Sequence, residues 1–173
     1  MNLVFRLLIL LISSRMRPRQ ELMSPAFLGF RVLPTDLDVN LHLTNSRYLA
    51  FMDLGRIELM LRSGLFGAVI RRRWLPVVST ASLRFRREIG VFQRINLNTR
   101  LLGWDEKWFY MEQRFETGQG LAAIGIVKGL FRGPDGNVPT QQLLSLAGYS
   151  GDMNRTGLMD ALDAYEKALQ KST

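Results

Sequence analysis

The chain has 173 residues, 47% hydrophobic and 22% charged, enough apolar material for the core of one domain and too much for disorder. With no cysteine and a single histidine, disulfides, thiolate nucleophiles, iron–sulfur clusters and His/Cys zinc sites are excluded, and a reducing, cytoplasmic setting is expected. The formal net charge of +8, most of it arginine, favours an anionic partner, because the guanidinium fork holds phosphates bidentately; nucleic acid, anionic lipid and a phosphorylated cofactor all qualify.

Residues 1–12 read MNLVFRLLILLI and are followed by SSRMRPR. The run is shorter than the roughly 20 apolar residues that cross a bilayer, and Arg6 interrupts it, so a spanning helix is not expected. Little positive charge precedes it and no small-x-small site follows, which argues against a signal peptide. Two readings stay open: a helix peripheral at the membrane surface through residues 1–19, with Arg15, Arg17 and Arg19 near headgroups, or a helix packed on the domain. Beyond Pro18 and Pro25, residues 26–34 predict a first strand.

A long helix is predicted over residues 46–63, with Thr44 or Asn45 as N-cap and Gly64 closing its far end. Its apolar residues, from Tyr48, Leu49 and Phe51 to Leu59, Met60 and Leu61, point in too many directions for one stripe. A helix apolar nearly all round has to be enclosed on most sides.

After Pro76 the period changes to two. Val77, Ala81, Leu83 and Phe85 share one face of a strand, opposed to Thr80, Ser82, Arg84 and Arg86. Val91, Ile95, Leu97 and Leu101 repeat the pattern against Arg94, Asn96, Asn98 and Arg100, as in half-buried antiparallel sheet. A turn at 103–107, a strand at 108–116 and a more uniformly apolar central strand at 121–132 follow, and GPDGN turns the chain. A short helix is predicted at 141–147. A terminal helix follows at 156–171, with Leu158, Leu162, Tyr165 and Leu169 as its apolar face.

One strand, one buried helix and several long antiparallel strands predict an α+β fold in which a curved sheet wraps a single central helix. The expected organisation is a leader at 1–25, the sheet domain at 26–138 and a helical extension at 139–173, with no internal repeat.

The densest polar cluster is PTDLDVNLHLTN at 34–45, between the first strand and the long helix. A carboxylate here faces the helix N-terminus, where unpaired N–H groups and the macrodipole stabilise an oxyanion. The Asp-x-Asp-x-Asn alternation is not a calcium loop, because Leu41 and Arg47 stand where glycine and a bidentate glutamate are needed. Nor is there a G-x-S-x-G; Gly148-Tyr149-Ser150-Gly151-Asp152 misplaces its last glycine.

Asp36-Leu37-Asp38-Val39-Asn40-Leu41-His42-Leu43-Thr44-Asn45, followed by Tyr48 and Met52-Asp53, closely resembles the D-x-D-x-N-x-H-x-x-N-x-x-Y signature of hotdog thioesterases. It is similar to the 4-hydroxybenzoyl-CoA group, to plant acyl-carrier thioesterases and above all to the thioesterase-like branch, over about residues 27–132. The resemblance implies a hotdog fold and hydrolysis of an acyl-CoA or acyl-carrier thioester, with coenzyme A only as part of the substrate and no other cofactor. It implies Asp38 as nucleophile or general base, Asn40 and His42 positioning water and polarising the thioester, and the Asn45 N–H receiving the oxyanion. It also implies a homodimer, or a tetramer built from two dimers, joined sheet edge to sheet edge with substrate between subunits. Ser79, Thr80 and Ser82 are then polar candidates for the partner's site, and Tyr48 and Arg84 further substrate contacts. The related hydratases carry D-x-N-P-x-H, whose proline and spacing are missing here.

The chemistry suits the composition independently. A thioester is an activated acyl donor, so a positioned base and an oxyanion site suffice without metal or cysteine. Plainer roles stand beside the functional ones: an Asx turn for Asp36 or Asp38, a hydrogen-bonded structural role for His42, an N-cap for Asn45, and a solvated basic edge for Arg71, Arg72, Arg73, Arg84, Arg86 and Arg87, which could alternatively grip coenzyme A phosphates. No interleaved aromatic platform accompanies the basic residues, so nucleic acid is not expected. The alternatives to a thioesterase are a hotdog protein that binds acyl chains or membrane with little activity of its own, and a hotdog enoyl hydratase.

Overall fold

A computed structural model describes residues 3–152 and 155–171. The elements run α1 (Leu3–Ser14), β1 (Ala26–Arg31), a 3-10 turn (Pro34–Asp36), α2 (Asn45–Arg62), α3 (Leu65–Arg71), β2 (Leu75–Phe85), β3 (Arg94–Trp104), β4 (Phe109–Thr117), β5 (Gly120–Gly133), β6 (Gly136–Val138), α4 (Thr140–Leu146) and α5 (Gly157–Gln170). The strands form one antiparallel sheet ordered β1-β3-β4-β5-β2, with β6 paired to β5. The sheet curls around α2, the hotdog arrangement.

Gly55 sets how closely α2 approaches the sheet. A Cβ there would lie 2.5 Å from Thr99 Oγ1, 2.8 Å from Gln113 Nε2 and 2.9 Å from Leu97 Cδ2. Those neighbours are fully buried, and Gln113 Nε2 donates to both Met52 O (2.9 Å) and Thr99 Oγ1 (2.9 Å). Gly55→Ala therefore either pushes α2 off the sheet or breaks buried hydrogen bonds. The expected loss of stability is about 2–3 kcal/mol, read from denaturant midpoints at constant slope.

The inner face of the sheet carries Leu97, Phe115, Ala123 and Val127, packed with Phe51, Met52 and Tyr48 of α2. The faces of β3 follow the predicted alternation from Ile95 to Leu101, but the strand begins at Arg94, so Val91 lies in the preceding turn, where Phe92 has φ 59°. In β2 the alternation breaks. A bulge between Val78 and Thr80 leaves Ser79 without a ladder partner and sets Val78 opposite Gly129 and Thr80 opposite Lys128. Cross-strand partners share a face, so Val78, rather than Val77, joins Ala81, Leu83 and Phe85 on the inner side. One extra residue in one strand inverts everything upstream of it.

α5 covers part of the outer face. Its buried residues are Met159 and Leu162, against Tyr110, Trp108 and Ile126, whereas Leu158, Tyr165 and Leu169 are exposed. The predicted apolar stripe is thus only partly the docking face. Polar contacts turn the helix: Lys128 Nζ donates to Asp163 (2.8 Å) and Glu166 (2.5 Å), and Tyr110 Oη donates to Asp163 (2.8 Å). Burial alone would lower the Lys128 ammonium, but the bonds to Asp163 and Glu166 outweigh it and raise the pKa. Both carboxylates are held below their ordinary values.

α1 packs through Leu3, Leu7 and Leu10 on the main core. Its one charged side chain, Arg6, also turns inward, while Val4, Phe5, Leu8, Ile9 and Ile12 are 49–65% exposed. No helix among the described residues is long and apolar enough to cross a membrane.

Candidate active site

Between β1 and α2 the chain makes a tight hairpin. Asp38 N–H donates to His42 O (2.9 Å) and Leu41 N–H to Asp38 O (3.1 Å), while Leu37 bridges Leu43. Leu41 at the tip has φ 61°, uncommon for a side-chain-bearing residue and the kind of strain that collects at functional sites. The first aspartate is the structural one. Asp36 is wholly buried, its Oδ2 accepts the Leu33 N–H (3.0 Å) and an Arg6 N–H (2.5 Å), and Arg47 Nε lies 3.5 Å from Oδ1. Burial lowers the Arg6 pKa from its ordinary value, with Asp36 opposing the shift.

Asp38 is exposed, and its Oδ1 accepts the N–H groups of Asn40 (2.9 Å) and His42 (3.3 Å). One carboxylate oxygen thereby joins three of the sequence-derived candidates. Asn40 is exposed; His42 is half-buried with Nε2 3.3 Å from Glu88 Oε2. Asn45 is the first residue of α2, and the hydroxyl of its N-cap, Thr44, makes no capping bond. The positive end of an 18-residue helix therefore opens toward the loop without a side-chain acceptor, as an oxyanion needs.

The other candidates lie elsewhere. Tyr48 is in the core, edge-on to Phe85 and Phe115 at 4.9 Å, and burial pushes its hydroxyl up to about 12. Ser79 (3.0 Å) and Thr80 donate to Glu166 of α5 on the outer face. Ser82 borders a groove beneath α5 with Ile126 and Leu158, and Arg84, opposite Ile124, shares that side. Thr80, Ser82 and Arg84 face away from α2 by the regular alternation of β2 beyond the bulge, and the bulge leaves Ser79 unpaired beside them.

A cavity of about 250 Å³ lies between the C-terminal half of α2 and the inner face. Its apolar wall includes Ile57, Met60, Val78, Met111 and Phe131, with Leu143 of α4 closing it. Asp53 is the one carboxylate on its wall among the described residues, ion-paired to Arg56, which also donates to Gln113 Oε1 (3.0 Å). Burial lowers the Arg56 pKa, with Asp53 opposing. Sequence reasoning did not single out Arg56 or Gln113 as site residues. Their mark was available: a glutamine among Phe109, Met111 and Phe115 on the inward face of a strand has to find partners inside the core.

Residues 32–139 match the signature of the thioesterase-like superfamily. The chain belongs to this superfamily. Within the thioesterase-like superfamily it is 44% identical over 84 residues to Protein THEM6 of Xenopus laevis, covering 49% of this chain and 41% of that one. It is 31% identical over 100 residues to the probable thioesterase YBR096W of Saccharomyces cerevisiae, covering 55% and 43%. The chain thus spans less than half the length of these curated relatives. Among solved structures it resembles Slr0204, a 1,4-dihydroxy-2-naphthoyl-CoA thioesterase from Synechocystis, with a TM-score of 0.63, 14% identity, and coverage of 72% of this chain and 95% of that one. At that identity the likeness establishes the hotdog fold.

Proposed function

We propose that the protein hydrolyses an acyl thioester carried on coenzyme A or a related carrier, with Asp38 supplying the base or nucleophile. The observation that carries this reading is a solvent-exposed carboxylate, fixed by two backbone N–H groups, beside the uncapped start of a helix that borders an apolar cavity. As a base, Asp38 takes a proton from water, whose oxygen bonds to the acyl carbon. The charge on the carbonyl oxygen rests at the Asn45 N–H, the carbon–sulfur bond breaks, and the leaving thiolate takes the proton that Asp38 holds, giving the thiol and restoring the carboxylate. Superfamily membership and relatives named as thioesterases support the reaction class.

Two copies complete the site. The Asp38 hairpin packs against the chain just beyond β2: Leu43 N–H donates to Ile89 O (2.8 Å) and His42 bridges Gly90. The cavity lies at the opposite end of β2, at Pro76, Val77 and Val78. Val78 and Phe85 stand roughly 20 Å apart along the strand, too far for one chain's Asp38 to serve its own cavity. β2 is an edge strand with Leu75, Val77, Val78 and Phe85 exposed, and such an edge invites antiparallel pairing with its own copy. A two-fold axis near Thr80 sets each cavity beside the partner's Asp38. It also gathers Arg71, Arg72 and Arg73 of one subunit with Arg84, Arg86 and Arg87 of the other, a rim suited to the phosphates of coenzyme A.

A second location for the base has one observation in its favour, the position of Asp53 on the cavity wall. Thiol release from short, long and aromatic acyl-CoAs, with wild type beside the Asp38 and Asp53 variants, tests both; retained ligand without any hydrolysis would favour an acyl-binding protein instead.

The exposed apolar side of α1, followed by Arg15, supports contact with an anionic membrane surface. Vesicles containing phosphatidylserine are expected to sediment the wild type. Phe5→Ser/Leu8→Ser/Ile12→Ser, which alters only exposed positions, should stay in the supernatant; equal sedimentation of the two would count against the contact.

A further inference from the structure

We infer that Arg6 is a positioning residue for the Asp38 hairpin, supplied by a helix outside the stretch shared with the superfamily. The match begins at residue 32, whereas α1 ends at Ser14. Arg6 is the only charged side chain of α1, and it points into the protein. Its Nη2 donates to Asp36 Oδ2 (2.5 Å) and Arg31 O (3.1 Å), and its guanidinium lies 5.3 and 4.9 Å from the ring centres of Phe30 and Phe51.

Asp36 is the knot of the hairpin. Its side chain accepts the Leu33 N–H where the hairpin starts, and its backbone carbonyl accepts the Thr44 N–H (3.0 Å) where α2 begins. Asp38 follows two residues later, with only Leu37 between them, itself bridged to Leu43. A buried carboxylate that loses its closer, hydrogen-bonded cation is strongly disfavoured. Without Arg6, Asp36 keeps only the longer contact to Arg47 (3.5 Å) and shifts toward it or toward water, carrying the start of the hairpin with it. Arg6 touches no reacting atom; it acts by holding Asp38 in register with the oxyanion site.

This inference rests on Asp38 as the catalytic carboxylate, and steady-state kinetics with thermal denaturation on the full chain separates the two. Arg6→Met/Asp36→Asn removes both buried charges at once and is the variant that keeps its fold. Its kcat is expected to fall by about 10- to 100-fold, the scale of a 1 Å misplacement, with KM within about twofold of wild type. Arg6→Lys keeps the ion pair but cannot also bridge to Arg31 O, and should recover part of the loss. Wild-type kcat in the folded double variant overturns the inference, as does a loss of kcat that merely tracks the folded fraction. Full turnover by Asp38→Asn would instead overturn the base assignment beneath it, whatever the Arg6 variants do.

Discussion

Asp38→Asn is expected to lower kcat on acyl-CoAs by about 10³-fold, the order of a positioned general base, while leaving the melting temperature near that of wild type. The two expectations share one cause. In the folded protein Asp38 uses its Oδ1 to accept the N–H groups of Asn40 and His42, and the amide oxygen of asparagine accepts the same two bonds. The turn survives and only the basic oxygen is lost. Asp53→Asn makes the useful contrast. It weakens the pair with Arg56 at the cavity wall, so the expected result is a higher KM with kcat changed by less than about tenfold. Thiol release followed across the acyl-CoA panel reads both. If the asymmetry is reversed, with Asp53→Asn inactive and Asp38→Asn active, the base lies on the helix and not in the hairpin.

The second large effect concerns assembly. Val78→Trp fills the cavity from the inner face of β2 and should abolish turnover with the Asp38 hairpin untouched. Alone, each of Asp38→Asn and Val78→Trp is expected to be inactive. Unfolded and refolded together in equal amounts, they should regain about a quarter of wild-type activity, because half of the resulting dimers are mixed and each mixed dimer holds one intact site. That site combines an open cavity from one subunit with Asp38 from the other. Recovery of activity is not possible if both parts must come from one chain, so a mixture that stays inactive, with mixed dimers verified by mass, would reject the composite site. In the proposed dimer the exposed apolar residues of the hairpin tip, Val39 and Leu41, are expected to be covered by the partner.

Much of this architecture was legible in the chain because local rules acted alone. The long helix shows itself by the density of apolar residues between Asn45 and Arg62 and by Gly64 beyond its end, where φ is 76°. The alternation from Ile95 to Leu101 is a direct print of a pleated strand with one wet face. The hairpin of 36–45 stood out since polar residues crowd there against the grain of a hydrophobic chain. Where a single residue changes the register, the print misleads: the bulge at Ser79 puts Val78 rather than Val77 on the inner face, and no periodicity announces it.

The sequence by itself determined the long helix, the main strands and the terminal helix, though not α3 or β6, that one helix is enclosed by sheet, and that a carboxylate-rich hairpin stands at that helix's positive end. These follow from spacing, capping and composition, which act over a few residues. Only the tertiary structure decided that Asp36 is buried beneath Arg6, that α1 turns its charge inward and its apolar side outward, and that Asp53 rather than Asp38 faces the cavity of its own chain. Each depends on contacts between residues tens of positions apart, and burial of a charge is decided by what the fold brings to it.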